Sequence, residues 1–287
     1  MDKELSEIEV QLRDLLEKAS NGEPVEVLDQ AFKDFGEQME LAARKQFTPR
    51  DPTFRVRASN VGRNLCVLQK GKEGAESEPM PYNHIIRMLL GDSLEAILRL
   101  LLTTAGANVT SDGDKVQLEV SGSTIKGESD IDINGKVYDI KSCSPFAFQN
   151  KWSKGYAGLK EDDSFGYIGQ LYLYADAQKK EPGGWIVVDK SSGEIQVVEV
   201  DDNPAEADDI RKDREYKVKA LNSDEPFRRG FEPQEEFFRR KATGDMVLHK
   251  NCGFCNYKAS CWPTAVRRPS KMSSPEAKNP AQKWFTD

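Results

Sequence analysis

Acidic residues are concentrated in the stretch from 127 to 141, which predicts two strands joined by a tight turn. Asn134-Gly135 lies between alternating apolar residues, and this pair favours the positive φ angles of a type I′ hairpin. With the turn placed there, Asp130 faces Asp139 on one side of the hairpin. Carboxylates that face each other repel. The pattern therefore indicates either a solvated polar face or a cation held between the two carboxylates.

Lys141 adds to the metal interpretation, because it lies two residues after Asp139 and on the same face. Mg²⁺ and Mn²⁺ prefer oxygen ligands and keep several waters, so two or three carboxylates suffice. The main-chain carbonyl of Ile140 is a candidate further ligand. Such an ion lowers the pKa of a bound water, and Lys141 would orient that water or stabilise charge on a phosphoryl group. The alternative is that Lys141 only pairs with Glu128, which the hairpin register places opposite it.

Four of the five cysteines have spacing typical of a metal centre. Cys252, Cys255 and Cys261 form a C-x2-C-x5-C pattern, and Cys66, far upstream, can supply a fourth thiolate. Four thiolates bind either tetrahedral Zn²⁺ or an iron–sulfur cluster. The irregular spacing and the distant fourth ligand favour the cluster. Cys143 directly follows the second strand of the hairpin, and we expect it to be a small buried residue.

Two predicted helices bring further polar groups to the hairpin. The first covers about residues 82–104 and carries Glu95 among apolar residues at helical spacing. The second covers about residues 165–177 and places Gln170 and Tyr174 one turn apart on one face. Each of these side chains also has an ordinary interpretation, as a solvated or packed helix residue.

The composition describes a polar globular chain, with 38% hydrophobic and 31% charged residues and a net charge of −7. This charge does not indicate a nucleic-acid-binding protein, although a local basic groove can lie on an acidic molecule. No apolar run is long enough to span a bilayer, and the first residues lack the features of a signal peptide. We therefore expect no membrane association and a cytoplasmic protein whose thiols stay reduced.

In chain order, three patterns resemble the core of the PD-(D/E)XK nucleases of the RecB-type branch: Gly127-x-x-Asp130, Asp139-Ile140-Lys141 and Gln170-x-x-x-Tyr174. One early cysteine and a late C-x2-C-x5-C resemble the iron–sulfur subgroup of that branch. This subgroup includes the CRISPR-associated Cas-four-type exonucleases, the AddB-type nuclease domains and related phage exonucleases. The resemblance covers about residues 55–263. It implies an α/β fold in which helices flank a central mixed sheet.

The resemblance also implies roles for the residues of the hairpin and its neighbours. Asp130 and Asp139 would bind Mg²⁺ or Mn²⁺, and Lys141 would be the catalytic lysine. Gln170 and Tyr174 would position DNA and that lysine.

Two further assignments follow from the resemblance. Cys66, Cys252, Cys255 and Cys261 would hold a [4Fe–4S] cluster, with Zn²⁺ as the alternative. The family usually has a histidine in a Gly-x-x-x-His pattern on the helix before the core, and Glu95 stands there in this chain. Glu95 is therefore the candidate third metal ligand.

These observations predict three regions: a helical N-terminal appendage (1–50), a nuclease domain with the cluster (51–263) and a disordered tail (264–287). The appendage could dock a protein partner. The expected activity is metal-dependent hydrolysis of DNA, as an exonuclease on single-stranded or duplex ends in recombination, repair, phage DNA processing or CRISPR-type processing. The alternative is a catalytically degenerate protein that binds DNA or a partner and keeps a structural four-cysteine metal site.

Overall fold

The computed structural model describes residues 5–49, 51–111, 113–223, 225–238, 240–270 and 282–286. The helices in these ranges are α1 (Glu7–Ser20), α2 (Asp29–Phe47), α3 (Ala58–Val61), α4 (Leu65–Lys72), α5 (Asn83–Thr104), α6 (Pro145–Asn150), α7 (Gly155–Glu161), α8 (Tyr167–Gln178), α9 (Pro204–Asn222), α10 (Lys250–Gly253) and α11 (Lys258–Cys261). The strands are β1 (Val109–Ser111), β2 (Lys115–Val120), β3 (Ser123–Glu128), β4 (Ile131–Ile133), β5 (Lys136–Cys143), β6 (Glu181–Asp189), β7 (Ile195–Glu199), β8 (Gln234–Phe238), β9 (Lys241–Val247), β10 (Val266–Pro269) and β11 (Gln282–Thr286).

The chain divides into two compact units whose limits differ from the predicted regions. The first comprises residues 1–62 and 81–218, and the second comprises residues 63–80 and 219–287. The N-terminal helices belong to the first unit because α1 buries Ile8 and Leu12 in its core and α2 packs on α5. They are part of that unit and not an appendage to it.

The first unit is built on a five-stranded mixed sheet of order β1-β4-β5-β6-β7. Strands β5 and β6 are parallel, and the other neighbours are antiparallel. Helix α8 packs on β5 and β6, in the core that contains Leu171 and Trp185. A second core joins α1 and α5 to the sheet through Leu98, Ile140 and Ile186. The predicted α/β class with a mixed sheet flanked by helices is thus confirmed.

The β4–β5 hairpin has the predicted register, with Ile131 opposite Tyr138 and Ile133 opposite Lys136. Asn134 and Gly135 take φ angles of 53° and 75°, which allow the tight turn. The ladder ends at Ile131, however, because the preceding residues leave this sheet and β3 pairs with β2.

The predicted pairing of Glu128 with Lys141 is therefore wrong. Glu128 lies opposite Lys115 in the separate β2–β3 ladder. Lys141 pairs instead with Asp139 on its own strand. The predicted register was wrong at Glu128 because it requires one uninterrupted strand from residue 127 to the turn.

The second unit contains a four-stranded sheet of order β10-β11-β9-β8. Residues 264–270 and 282–286 were expected to be disordered, but they include β10 and β11. Two interactions anchor them: Arg268 stacks 3.6 Å from the ring centre of the buried Phe285, and Ser270 and Lys283 donate to the buried Glu236. Residues 271–281 and 287 of the predicted tail lie outside the described residues.

Among the described helices, none is long and apolar enough to cross a membrane.

Gly127 marks a close approach between β3, α3 and α8. A Cβ atom placed on Gly127 would lie 2.5 Å from the Cβ of Ala58 and 2.8 Å from a ring carbon of Tyr174. Both distances are below van der Waals contact, and both neighbours are buried. Glycine at this position therefore lets Tyr174 lie directly against the strand that leads to Asp130.

Gly127→Ala should destabilise the protein by about 1–3 kcal/mol, because overpacking forces buried neighbours to shift. Gly36→Ala is the matched control. Gly36 lies inside α2, and a Cβ there meets nothing within 4 Å, so alanine should stabilise the protein by about 0.5–1 kcal/mol. Urea unfolding of the three proteins measures both changes. Equal stability of the two variants would contradict the close packing at Gly127.

Candidate functional site

A cleft of about 640 Å³ in the first unit collects most of the polar residues singled out in the sequence. Five of them line it: Glu95, Asp130, Lys141, Gln170 and Tyr174. They come from four places, namely α5, the β3–β4 connection, β5 and α8. Ile140 lines an adjoining cavity of about 780 Å³ together with Glu95 and Lys141.

Asp139 lies behind the cleft wall, with 0% of its surface exposed. Lys141 Nζ is 2.6 Å from Asp139 Oδ2, and the lysine side chain is 18% exposed. Burial raises the pKa of Asp139 to about 7; Lys141 opposes this rise and the charge of Asp130 adds to it. Burial disfavours the charge of Lys141 too, but the charges of Asp139 and Asp130 outweigh burial and raise the pKa of Lys141. The lysine is therefore protonated at neutral pH.

Asp130 is fixed by two contacts with its neighbours. Its Oδ2 accepts a hydrogen bond of 2.7 Å from the backbone N–H of Ile140, and its backbone carbonyl accepts one of 2.7 Å from Arg99. In an extended strand, the N–H and C=O of one residue point to the same strand edge. The Ile140 carbonyl therefore lies on the edge of β5 that faces Asp130, as a ligand role would require.

Glu95 faces this group from α5. Burial and then the negative charge of Asp130 raise the pKa of Glu95 to about 8, and the positive charge of Lys141 partly opposes the rise. The perturbation shows that the three side chains lie within electrostatic reach of one another. Glu95 is therefore placed as the sequence predicted, beside Asp130 and the lysine, and not on a solvated helix face.

Gln170 and Tyr174 form a buried pair on α8. Gln170 Nε2 donates a hydrogen bond of 2.9 Å to Tyr174 Oη. Burial, followed by the negative charges of Asp139 and Asp130, raises the pKa of Tyr174. Tyr174 is thus a neutral phenol close to the carboxylates, and Gln170 fixes its hydroxyl.

The residue types around Lys141 fit a hard divalent cation. The carboxyl groups of Glu95, Asp130 and Asp139 interact electrostatically with Lys141, and Asp139 Oδ1 is buried without a hydrogen-bond donor among the described residues. Within those residues, no three His, Cys, Asp or Glu side chains already have the arrangement of a metal-binding group. Asp139 Oδ2 contacts Lys141, so a cation at Asp139 would compete with the lysine.

Basic side chains that the sequence did not single out also line the cleft. They are Lys45, Arg57, Arg99, Lys115 and Lys126. Only Arg99 had a sequence signal, because it follows Glu95 by four residues and so shares its helix face. The others come from α2, β2, β3 and the residue before α3, and no spacing rule connects those segments to the hairpin.

The four predicted cysteine ligands all lie in the second unit. Burial raises the pKa of Cys252 to about 11, and the neighbouring thiols of Cys66, Cys261 and Cys255 add to the rise. Burial also raises the pKa of Cys66 and of Cys255. The structure thus brings the four thiols within electrostatic reach of one another, although they do not form a closed metal-binding arrangement among the described residues.

Backbone N–H groups lie next to two of these sulfur atoms. Tyr257 N–H donates to Cys255 Sγ at 3.4 Å, and Gly230 N–H donates to the sulfur of Cys66. Asn64 caps α4 and accepts from the backbone N–H of Cys66. Hydrogen bonds to sulfur stabilise thiolates and tune iron–sulfur centres. Cys143, in contrast, is buried in the first unit, as predicted.

The raised pKa values of Glu95 and Asp139 predict that the metal-free protein loses stability between about pH 5 and pH 8. The folded carboxyls titrate near 8 and 7, whereas unfolded carboxyls titrate near 4. The folded chain therefore binds more protons in this window, and its stability falls as pH rises, by up to about 1.4 kcal/mol per pH unit for each titrating group.

Unfolding by urea at several pH values measures this decline. Glu95→Gln removes one of the two titrations, so its stability should fall less steeply. Mn²⁺ should raise the unfolding midpoint of the unsubstituted protein more at about pH 8 than at about pH 5, since protons compete for the carboxylates. Parallel pH profiles for the two proteins would contradict the placement of Glu95.

No protein-family model matches this chain, and no curated protein is significantly similar to it. The solved structure of SSO0001 resembles it over 64% of this chain and 83% of that chain, at 16% sequence identity and a TM-score of 0.37. A similarity of this size carries no argument about fold or function.

Proposed function

We propose that this protein is a metal-dependent deoxyribonuclease that hydrolyses phosphodiester bonds at DNA ends. The observation that carries the proposal is the grouping of Glu95, Asp130 and Asp139 around Lys141 beside one cleft. Strongly perturbed carboxyls next to a partly buried lysine in a cleft are typical of functional sites. The order of the motifs along the chain supports the same assignment to a nuclease of the PD-(D/E)XK type.

The three carboxylates and the Ile140 carbonyl would hold Mg²⁺ or Mn²⁺. When bound, the ion supplies a Lewis acid that polarises a phosphoryl oxygen and lowers the pKa of a water. In the metal-free protein the charges of Asp139 and Asp130 raise the pKa of Lys141. The lysine would donate hydrogen bonds, orient the water and stabilise the negative charge that develops on the phosphoryl oxygens.

Gln170 and Tyr174 supply a fixed hydrogen-bond donor to the same cleft. The Tyr174 hydroxyl accepts from Gln170, so its own proton is available to a phosphate oxygen or a water. The phenol keeps this proton at neutral pH because burial raises its pKa. The pair therefore fits the role of positioning a DNA strand.

We further propose that Cys66, Cys252, Cys255 and Cys261 hold a [4Fe–4S] cluster in the second unit. The support is their mutual electrostatic contact and the N–H donors around their sulfur atoms. A bound metal would replace the protons that the thiols of Cys66, Cys252 and Cys255 retain at neutral pH because burial raises their pKa values. The cluster would join residues 63–80 to the C-terminal part of the unit.

Asp139→Ala and Lys141→Ala should each lower the rate of DNA hydrolysis in Mn²⁺ at least about a hundredfold, because the first removes a metal ligand and the second removes a group that stabilises charge on the reacting phosphate. Release of nucleotides from end-labelled single-stranded and duplex oligonucleotides measures the rate.

Lys136→Ala is the matched control for these two variants. Lys136 lies on the same strand, and its contact with Glu181 is a surface ion pair with a half-exposed lysine, so its loss should leave the rate unchanged. Equal activity in all four proteins would refute the nuclease assignment. DNA binding without cleavage by the unsubstituted protein would favour the degenerate DNA-binding alternative.

Anaerobic purification should yield a brown protein with about four irons per chain. Cys66→Ser should lose most of this iron, whereas Cys143→Ser, which alters a cysteine of the other unit, should keep it. Iron analysis and visible absorbance measure the difference. A colourless protein with stoichiometric Zn²⁺ would refute the cluster.

A further inference from the structure

Lys45 lies where the two cavities of the first unit meet. The adjoining cavities of about 640 Å³ and 780 Å³ share six lining residues: Lys45, Arg57, Ser59, Asp92, Glu95 and Lys141. The shared residues thus include two members of the candidate catalytic group. A polynucleotide strand that passes from one cavity into the other would pass close to Lys45 and to this group.

Lys45 comes from α2, a helix for which the sequence analysis predicts no chemical role. Its Nζ lies 2.8 Å from Asp92 Oδ1, and 63% of its side chain is exposed. The other Asp92 oxygen accepts from Gln46 Nε2. Asp92 precedes Glu95 by three residues on α5, so Lys45 is held one helical turn from a candidate metal ligand.

The contribution of this ion pair to stability is too small to account for the position of Lys45. Ion pairs with an exposed partner typically contribute about 0–1 kcal/mol, and α2 is already joined to α5 by packing along the helices. The pair does, however, hold a flexible cation next to the carboxyl groups of Asp92, Glu95 and Asp130. Charged carboxylates at this point would repel a phosphate unless a cation lies beside it.

We propose that Lys45 leaves Asp92 when DNA binds and contacts a phosphate next to the scissile bond, which makes α2 part of the substrate-binding site. This inference rests on the proposed nuclease function and adds the strand path across the two cavities. Gln46 continues to bind Asp92 after Lys45 has moved, so the carboxylate keeps one donor. Lys45 contributes binding and orientation, whereas Lys141 acts on the reacting group.

The test compares Lys45→Ala with Lys45→Arg and with Lys33→Ala. Lys33 is an exposed residue of the same helix that lines neither cavity, so its loss changes the net charge equally. Binding of a single-stranded and a duplex oligonucleotide is measured in EDTA over a range of salt concentrations. Hydrolysis in Mn²⁺ is measured separately, to give kcat and KM.

Lys45→Ala should weaken binding about five- to eightfold at about 0.1 M salt, since one counterion fewer is released. The slope of log K against log salt should become shallower by about 0.7 for a single strand or about 0.9 for a duplex. KM should rise with little change in kcat. Lys45→Arg should keep the slope, and Lys33→Ala should match the unsubstituted protein.

An unchanged salt slope in Lys45→Ala, or an equal change in Lys33→Ala, would overturn the inference, even if the protein cleaves DNA normally. Failure of the unsubstituted protein to bind either oligonucleotide would overturn it as well. Conversely, the slope of log K against log salt could become shallower in Lys45→Ala alone while no protein hydrolyses DNA. That result would support the phosphate contact and refute the nuclease assignment. The two proposals therefore fail in distinguishable ways.

Discussion

The ion pair between Asp139 and Lys141 requires the first unit to accommodate a charged group in its interior. It lies on β5, which has β4 on one side and the parallel strand β6 on the other, and its carboxylate is fully buried. Breaking such a pair leaves an uncompensated charge in the interior, which typically costs about 3–5 kcal/mol. Two hydrogen bonds fix the neighbouring Asp130. Its side chain accepts from the Ile140 N–H, and its backbone carbonyl accepts from Arg99. Perturbed carboxyls in a cleft are expected where a protein performs chemistry.

The sequence predicted those parts of this site that depend on local geometry. Asn134-Gly135 fixed the hairpin register because few residue pairs tolerate two positive φ angles. Helical spacing placed Gln170 and Tyr174 together, because residues four apart lie one turn apart on the same helix face. The prediction for Glu128 failed because the strand breaks at residues 129–130, and strand breaks leave no periodic signal. Lys45 could not be predicted at all, because its proximity to Glu95 arises from packing between α2 and α5.

In the second unit, prediction from composition was limited by contacts that are distant in the sequence. Composition predicted disorder for residues 264–287, yet two segments of that region pair as strands. Composition could not reveal this, because the contacts of these segments with Glu236 and between Arg268 and Phe285 form only in the folded chain. The buried apolar residues in the described part of this unit are few: Leu68, Ala220, Leu221, Leu248, Trp262 and Phe285. A small core stabilises a domain weakly, and such domains commonly gain a metal centre. The proposed cluster would thus have a folding role, because it would close a loop of more than a hundred residues between Cys66 and Cys252.

The charge of the molecule is consistent with a DNA substrate once its distribution is considered. A net charge of −7 would repel DNA at long range, but salt limits that repulsion to about 8 Å in physiological conditions. Inside the cleft, the charges of the nearby side chains determine whether a phosphate is attracted or repelled. Glu95 and Asp139 retain protons more readily than exposed carboxyls, because their pKa values are about 8 and about 7, and the pKa of Lys141 is raised by the charges of Asp139 and Asp130. A divalent cation adds two further positive charges and displaces those protons. A bound divalent cation would therefore make the site more positive where a phosphate would bind, so the net charge of −7 does not argue against the proposed chemistry.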